Sequence, residues 1–195
     1  ILDVTRTIHK ISITGQKDRG GNSSLAEGSR HNGLDPHVWL APANLKIMAT
    51  EMASAMAHVD PANKSVYELN LEAVVATLDR LDKEIQHMLA PYAGSTFYVF
   101  HPAFGYFAHA YNLYQEAVEI EGKSPSPRQL YSLISRAKAE KVKVVFVQPQ
   151  FDRKSAQAIA HAIGGEVVPL DPLAENVSGN LKIMAEKIQS ALNQQ

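Results

Sequence analysis

Two histidines and one aspartate have the side-chain types and the placements to hold a divalent ion. His37 lies in the turn-like run Asp35-Pro36-His37-Val38-Trp39-Leu40. His101 ends the apolar run Phe97-Tyr98-Val99-Phe100, and Asp171 follows Val167-Val168-Pro169-Leu170. Neutral imidazole nitrogen together with carboxylate oxygen is a donor set that suits Zn2+ and other borderline-soft ions. Each residue also has a plainer reading. Asp-Pro pairs open turns, and Asp35, Asp60 and Asp171 all precede a proline. A histidine beside aromatic residues is commonly packed and hydrogen-bonded. The chain has 8 histidines, so several must be bystanders. The three candidates lie far apart and form no local metal signature of the CxxC or HExxH kind.

The elements that must position these residues are of two kinds. After Pro91 and Gly94, apolar runs at 96–100, 117–120, 143–147 and 166–170 alternate with helical patterns at 104–113, 127–140, 153–163 and 177–192. Ser126-Pro127 and Asp152 are helix starts, and Gly164-Gly165 a helix stop. This alternation predicts an α/β fold with a parallel sheet covered by helices on both faces. Ligands of such sheets collect at the carboxyl ends of the strands. His101, Gln148 and Asp171 each follow a strand directly, so the fold would gather them at one edge, and His37 must arrive from elsewhere.

Upstream the pattern is helical. From Pro42, the residues Leu45, Met48, Met52, Met56 and Val59 recur at helical spacing, and the methionines read as core filling. Asp60-Pro61 reads as a helix cap followed by proline at the first position. A helix over 61–89 presents Leu71, Val74, Val75, Leu78, Leu81, Ile85 and Met88 on one face; it would be about 40 Å long. His58 and His87 fall among charged neighbours on solvated faces. Residues 1–13 alternate loosely and predict an edge strand. Residues 14–33, rich in Gly, Ser, Asn and charge, read as a surface loop holding a single histidine, His31.

Composition narrows the function classes. Apolar residues make up 45% of the 195, enough for a real core. Nineteen basic and 20 acidic residues leave a net charge of −1, without the basic stripe that nucleic acid or an anionic membrane surface requires. Cysteine is absent, which excludes disulfides and thiolate sites. No apolar run approaches the roughly 20 residues of a spanning helix. No GxxxxGK[ST] loop marks a nucleotide site.

Five segments in order resemble one family. Asp35-Pro36-His37-Val38-Trp39-Leu40 is similar to the "DPHxW" segment of the metal-binding receptors of bacterial ABC importers, the cluster that carries zinc and manganese. Phe100-His101-Pro102-Ala103-Phe104-Gly105-Tyr106-Phe107 resembles its second ligand segment. Glu121 to Pro127, followed by Gln129-Leu130, resembles its "EPSP" turn and helix start. Phe146 to Phe151 and Leu170-Asp171-Pro172-Leu173 resemble its last two strand ends. The ZnuA type, the zinc receptors, is the nearest resemblance, spanning 34 to 190.

The resemblance implies a two-lobed α/β receptor with a long connecting helix: residues 1–60 the remainder of an amino-terminal lobe, 61–90 the inter-lobe helix, and 91–195 the carboxy-terminal lobe. It implies Zn2+ as transported ligand, held by His37, His101 and Asp171. It also implies a permease partner and a place in the periplasm, or lipid-anchored outside the cytoplasmic membrane. The family's first metal histidine lies in a segment before anything present here, so the first lobe is expected to be incomplete, with His31 a local substitute. A histidine at position 101 goes with zinc, whereas the manganese type carries a carboxylate there. Gln148 stands where many relatives have Glu, so a charge is lost at that point.

Three other readings stand beside this one. They are a manganese receptor, a metal-dependent surface adhesin of the same fold, and a zinc hydrolase with an open fourth position. A hydrolase needs a general base. Glu119, Glu121 and Glu166 are the candidates, and none sits in a hydrolase motif. No GxSxG marks a serine triad.

Overall fold

The computed structural model describes residues 1–13, 33–119, 125–151 and 153–195. The methyl-branched and aromatic runs do form strands: β1 (Thr96–Val99), β2 (Tyr114–Ala117), β3 (Val144–Val147) and β4 (Glu166–Pro169). They pair in parallel in the order β2-β1-β3-β4. Val99 lies opposite Phe146 and Ala117, and Val147 opposite Pro169, so all four carboxyl ends reach one edge.

Alternation along the strands divides the core. Phe97, Val99, Val144 and Phe146 face one side, together with α3 (Gly105–Ala110), α6 (Val177–Leu192) and the last turns of α2 (Lys64–Leu89). Tyr98 and Val145 face the other, with α4 (Pro127–Ala139) and α5 (Arg153–Ile163). A sheet apolar on both faces must be covered on both, which is what parallel connections supply. At the start of α4, Ser126 and Gln129 form a reciprocal capping box with Pro127 at the first helical position. Gly164, at φ +70, takes the left-handed conformation that ends α5.

α1 (Pro42–Val59) packs along α2, and a single turn of 3-10 helix, Pro61–Asn63, joins them. At 26 residues, α2 is about 39 Å long at the usual rise. Its carboxy-terminal part buries Leu78, Leu81, Ile85 and Leu89, and Lys182 on α6 pairs with its Glu84.

The structure corrects four expectations. Residues 1–13 form no strand; one antiparallel bridge joins Ser12 to Leu34, and only Ile8 is buried. The second strand is 114–117, three residues before the apolar run, because an edge strand tolerates polar residues and this one buries Gln115 as a hydrogen-bonding group. The long helix starts at Lys64 rather than at 61, after the 3-10 turn. The methionine stripe is not core filling: Met52 and Met56 are 44% and 50% exposed and Val59 83%. Leu45 and Met48 pack on the core. The later turns of α1 run beyond it with α2 as their chief neighbour. Asp152 as a helix start, the segment 14–32 with His31, and Glu121 to Ser124 lie outside the described residues.

Candidate metal centre

The strand order sets the place. Leaving β1 the chain moves to β2 on one side, and later to β3 and β4 on the other. The crevice between β1 and β3 is therefore the topological switch point, where α/β sheets bind ligands. His101 follows β1 and Gln148 follows β3.

Gln148 extends the ladder past the end of the strands. Phe100 N donates to Phe146 O at 2.7 Å. The next step cannot follow the parallel pattern, because Pro102 has no N–H. The Gln148 amide substitutes for a peptide: its Oε1 accepts from His101 N at 3.3 Å and its Nε2 donates to His101 O at 2.7 Å. The side chain is 1% exposed. A carboxylate here could accept but not donate, so only an amide makes both bonds of this backbone clamp.

The His101 ring is fixed as firmly. It stacks on Phe151, with centroids 4.9 Å apart and planes 21° apart. Its Nδ1 lies 2.7 Å from Glu119 Oε2. Backbone pairing of Glu119 N with Phe100 O at 2.9 Å places that carboxylate. His37 is held in the same way. Asp35 Oδ1 accepts from His37 N at 2.9 Å and lies 2.7 Å from His37 Nδ1. Ionised carboxylates only accept, so each Nδ1 carries a proton, and in the neutral ring that tautomer leaves the Nε2 lone pair for a metal.

Asp35 is 1% exposed, and its Oδ2 has no hydrogen-bond partner among the described residues. It rests against the first residue of α3, Gly105, where an added Cβ would stand 2.5 Å from Oδ2. Gly105 is thus a close-approach glycine. The helix entry is set by Gln115, whose Oε1 accepts from Phe104 N at 2.9 Å.

The two rings meet. His37 and His101 have centroids 5.6 Å apart at 77°. A zinc–nitrogen bond of about 2.0–2.1 Å would put the ion about 3.2 Å from each ring centre, and a tetrahedral angle would then space the centres by about 5.2 Å. The observed spacing suits two imidazoles on one such ion.

Asp171 is not part of this pair. Among the described residues no group of three or more His, Cys, Asp or Glu side chains converges on one ion-sized point. Asp171 Oδ1 accepts from Leu173 N at 2.9 Å and from Gln150 Nε2 at 3.1 Å, and Asn180 Nδ2 donates to its backbone carbonyl at 2.7 Å. The next residue, Pro172, accepts from Trp39 Nε1 at 2.8 Å, which ties the loop to the His37 turn. Phe104 and Phe107 are fully buried in the main core, and Tyr106 lies with Ile8, Val38 and Ala41 beneath the turn. His58 and His87, expected on solvated faces, are exposed on helices, and so is His161.

Sequence reasoning missed the two carboxylates as partners of the ligands. In the sequence Asp35 reads only as a turn former, although its spacing of two from His37 is that of a residue whose carboxylate can turn back on the following N–H groups. Glu119 reads in the sequence as a candidate base. No local pattern pairs it with His101.

A parallel sheet presenting buttressed imidazoles at its switch point, backed by a long helix, is the fold of an α/β metal-binding receptor. The chain belongs to the family described as zinc-uptake complex component A, periplasmic, whose model matches residues 1–193. It is 30% identical over 164 residues to the high-affinity zinc uptake system protein ZnuA of Paracoccus denitrificans, covering 81% of this chain and 49% of that protein. The crystal structure of a ZnuA superposes with a TM-score of 0.86 at 39% identity, over 97% of this chain and 68% of that one. A zinc-bound ZnuA lacking its residues 138–173 matches at TM-score 0.79 and 45% identity, over 84% and 63%. The chain spans about half the length of the ZnuA proteins it matches, 48% to 49%, and 67% of the shorter metal-binding protein of Chlamydia muridarum.

Proposed function

We propose that this chain is the metal-holding portion of a receptor that captures Zn2+ outside the cytoplasmic membrane and delivers it to the permease of an ABC importer. The observation that carries the reading is the His37–His101 pair, 5.6 Å apart, each ring held at Nδ1 by its own carboxylate. Asp171 supplies the third donor once its carboxylate leaves its present bonds. Imidazole donors favour zinc over the harder Mn2+. Residues 61–90 serve as the inter-lobe helix, with 1–60 on one side and 91–195 on the other. No helix among the described residues is long and apolar enough to cross a membrane.

A receptor fits the site better than a hydrolase does. Glu119 is committed to His101. Glu166 opens β4, at the end of the sheet away from the histidines. Neither is placed to activate a metal-bound water.

Competition for zinc with a chromophoric chelator tests the assignment. His37→Ala and His101→Ala should each weaken binding by tenfold or more, about 1.4 kcal/mol. His161→Ala should change nothing. Equal effects at all three positions would remove the histidine pair from the site.

A further inference from the structure

We infer that Trp39 is a positioning residue that couples the His37 turn to the Asp171 loop and so governs whether Asp171 joins the zinc site. The inference rests on the zinc-receptor reading and extends it. The contacts form one chain. The Trp39 ring lies edge-on to His37, with centroids 5.5 Å apart. Its indole N–H donates to the Pro172 carbonyl at 2.8 Å. Pro172 is buried and has no N–H, so this carbonyl is its one backbone hydrogen-bonding group.

The loop on which Trp39 acts is otherwise held by bonds of Asp171 itself. Its carboxylate caps Leu173 N and accepts from Gln150, and its carbonyl is gripped by Asn180 at the start of α6. A swing of the carboxylate toward the histidines breaks the first two bonds and leaves the carbonyl bonds as pivots. Trp39 supplies the pivot on the histidine side. Trp39 therefore makes the motion of Asp171 and the position of His37 one event. The sequence shows 133 positions between the two partners of this bond and nothing that pairs them. Indole N–H is a donor only, so the bond has one sense and one natural reporter: the chain has a single Trp.

The test uses the purified chain and two readouts. The first needs no zinc. The lone indole N–H resonance should exchange slowly with solvent in the parent protein, and at least about fivefold faster in Asp171→Ala, which frees Leu173 N and Gln150. The second is a thermodynamic cycle on zinc affinity with Trp39→Phe, which keeps an aromatic ring and loses the donor. Trp39→Phe should weaken zinc about tenfold, the effect of removing an outer support. In the Asp171→Ala background it should add less than twofold. Trp39→Phe in the His161→Ala background should keep its full tenfold effect. Additive losses from Trp39→Phe and Asp171→Ala, or an indole exchange rate indifferent to Asp171→Ala, would overturn the coupling. Failure of the parent chain to bind zinc at all would overturn the receptor reading instead, while the exchange measurement would still decide whether the link exists.

Discussion

A metal ligand is a side chain whose free energy of orientation is already spent before the ion arrives. His37 and His101 meet that condition by the same device: a carboxylate on Nδ1, from Asp35 two residues earlier in one case and from Glu119 on the neighbouring segment in the other. The device fixes the tautomer and the orientation of the ring. Glu119→Gln is the sharp test, since the amide keeps the size and can still accept through oxygen, but loses the charge. Zinc affinity should fall roughly 10- to 100-fold, measured by chelator competition. A variant that binds as the parent does would reduce Glu119 to a surface contact. The two imidazoles of the proposed site could be singled out in the sequence because they stood at the tips of predicted turns and strands. Their supports were not, because Glu119 reaches His101 only through parallel pairing. The part played by Gln148 was hidden for the same reason: its amide copies a peptide group to a residue 47 positions away.

Elements with strong local punctuation were legible nearly to the residue. Pro127 after Ser126, and Gly164, bound helices because proline, capping side chains and positive-φ glycine act within a few residues. The edge strand β2 and the exposed turns of α1 were misplaced because their burial depends on neighbours from elsewhere in the chain. Gly105, at the head of α3, shows the two influences in conflict. Helix propensity favours alanine over glycine by about 1 kcal/mol. The new methyl would stand 2.5 Å from Asp35 Oδ2 and 3.2 Å from Gln115 Nε2. Overpacking of this kind costs about 1–3 kcal/mol, and Asp35 is buried, so it cannot escape into water. Gly105→Ala should therefore destabilise the protein in urea unfolding and also weaken zinc binding, by pushing Asp35 off His37. Greater stability with unchanged zinc affinity would mean that propensity, not the contact, rules this position.

At the scale of the molecule, the strand order β2-β1-β3-β4 explains why the chemistry sits where it does. The alternation of strand and helix implied a parallel sheet, but strand order has no local code, and it is the order that places the crevice between β1 and β3 and brings Gln148 to His101. His37 comes from before the sheet and is delivered by the short turn Val38–Leu40, buried at both ends. His37 precedes α2 in the chain and His101 follows it, so the proposed capture site draws on segments from both sides of that helix. Transport is therefore tested where cargo is scarce. Cells lacking this protein should grow poorly when zinc is chelated, and recover with added zinc or with the parent gene. The His101→Ala gene should not restore them, because one imidazole removes half of the observed pair. Choice of ion follows from the donors: two neutral nitrogens bind zinc far better than manganese at equal concentration. Added manganese should leave the defect in place, and rescue by manganese alone would reverse the choice of cargo.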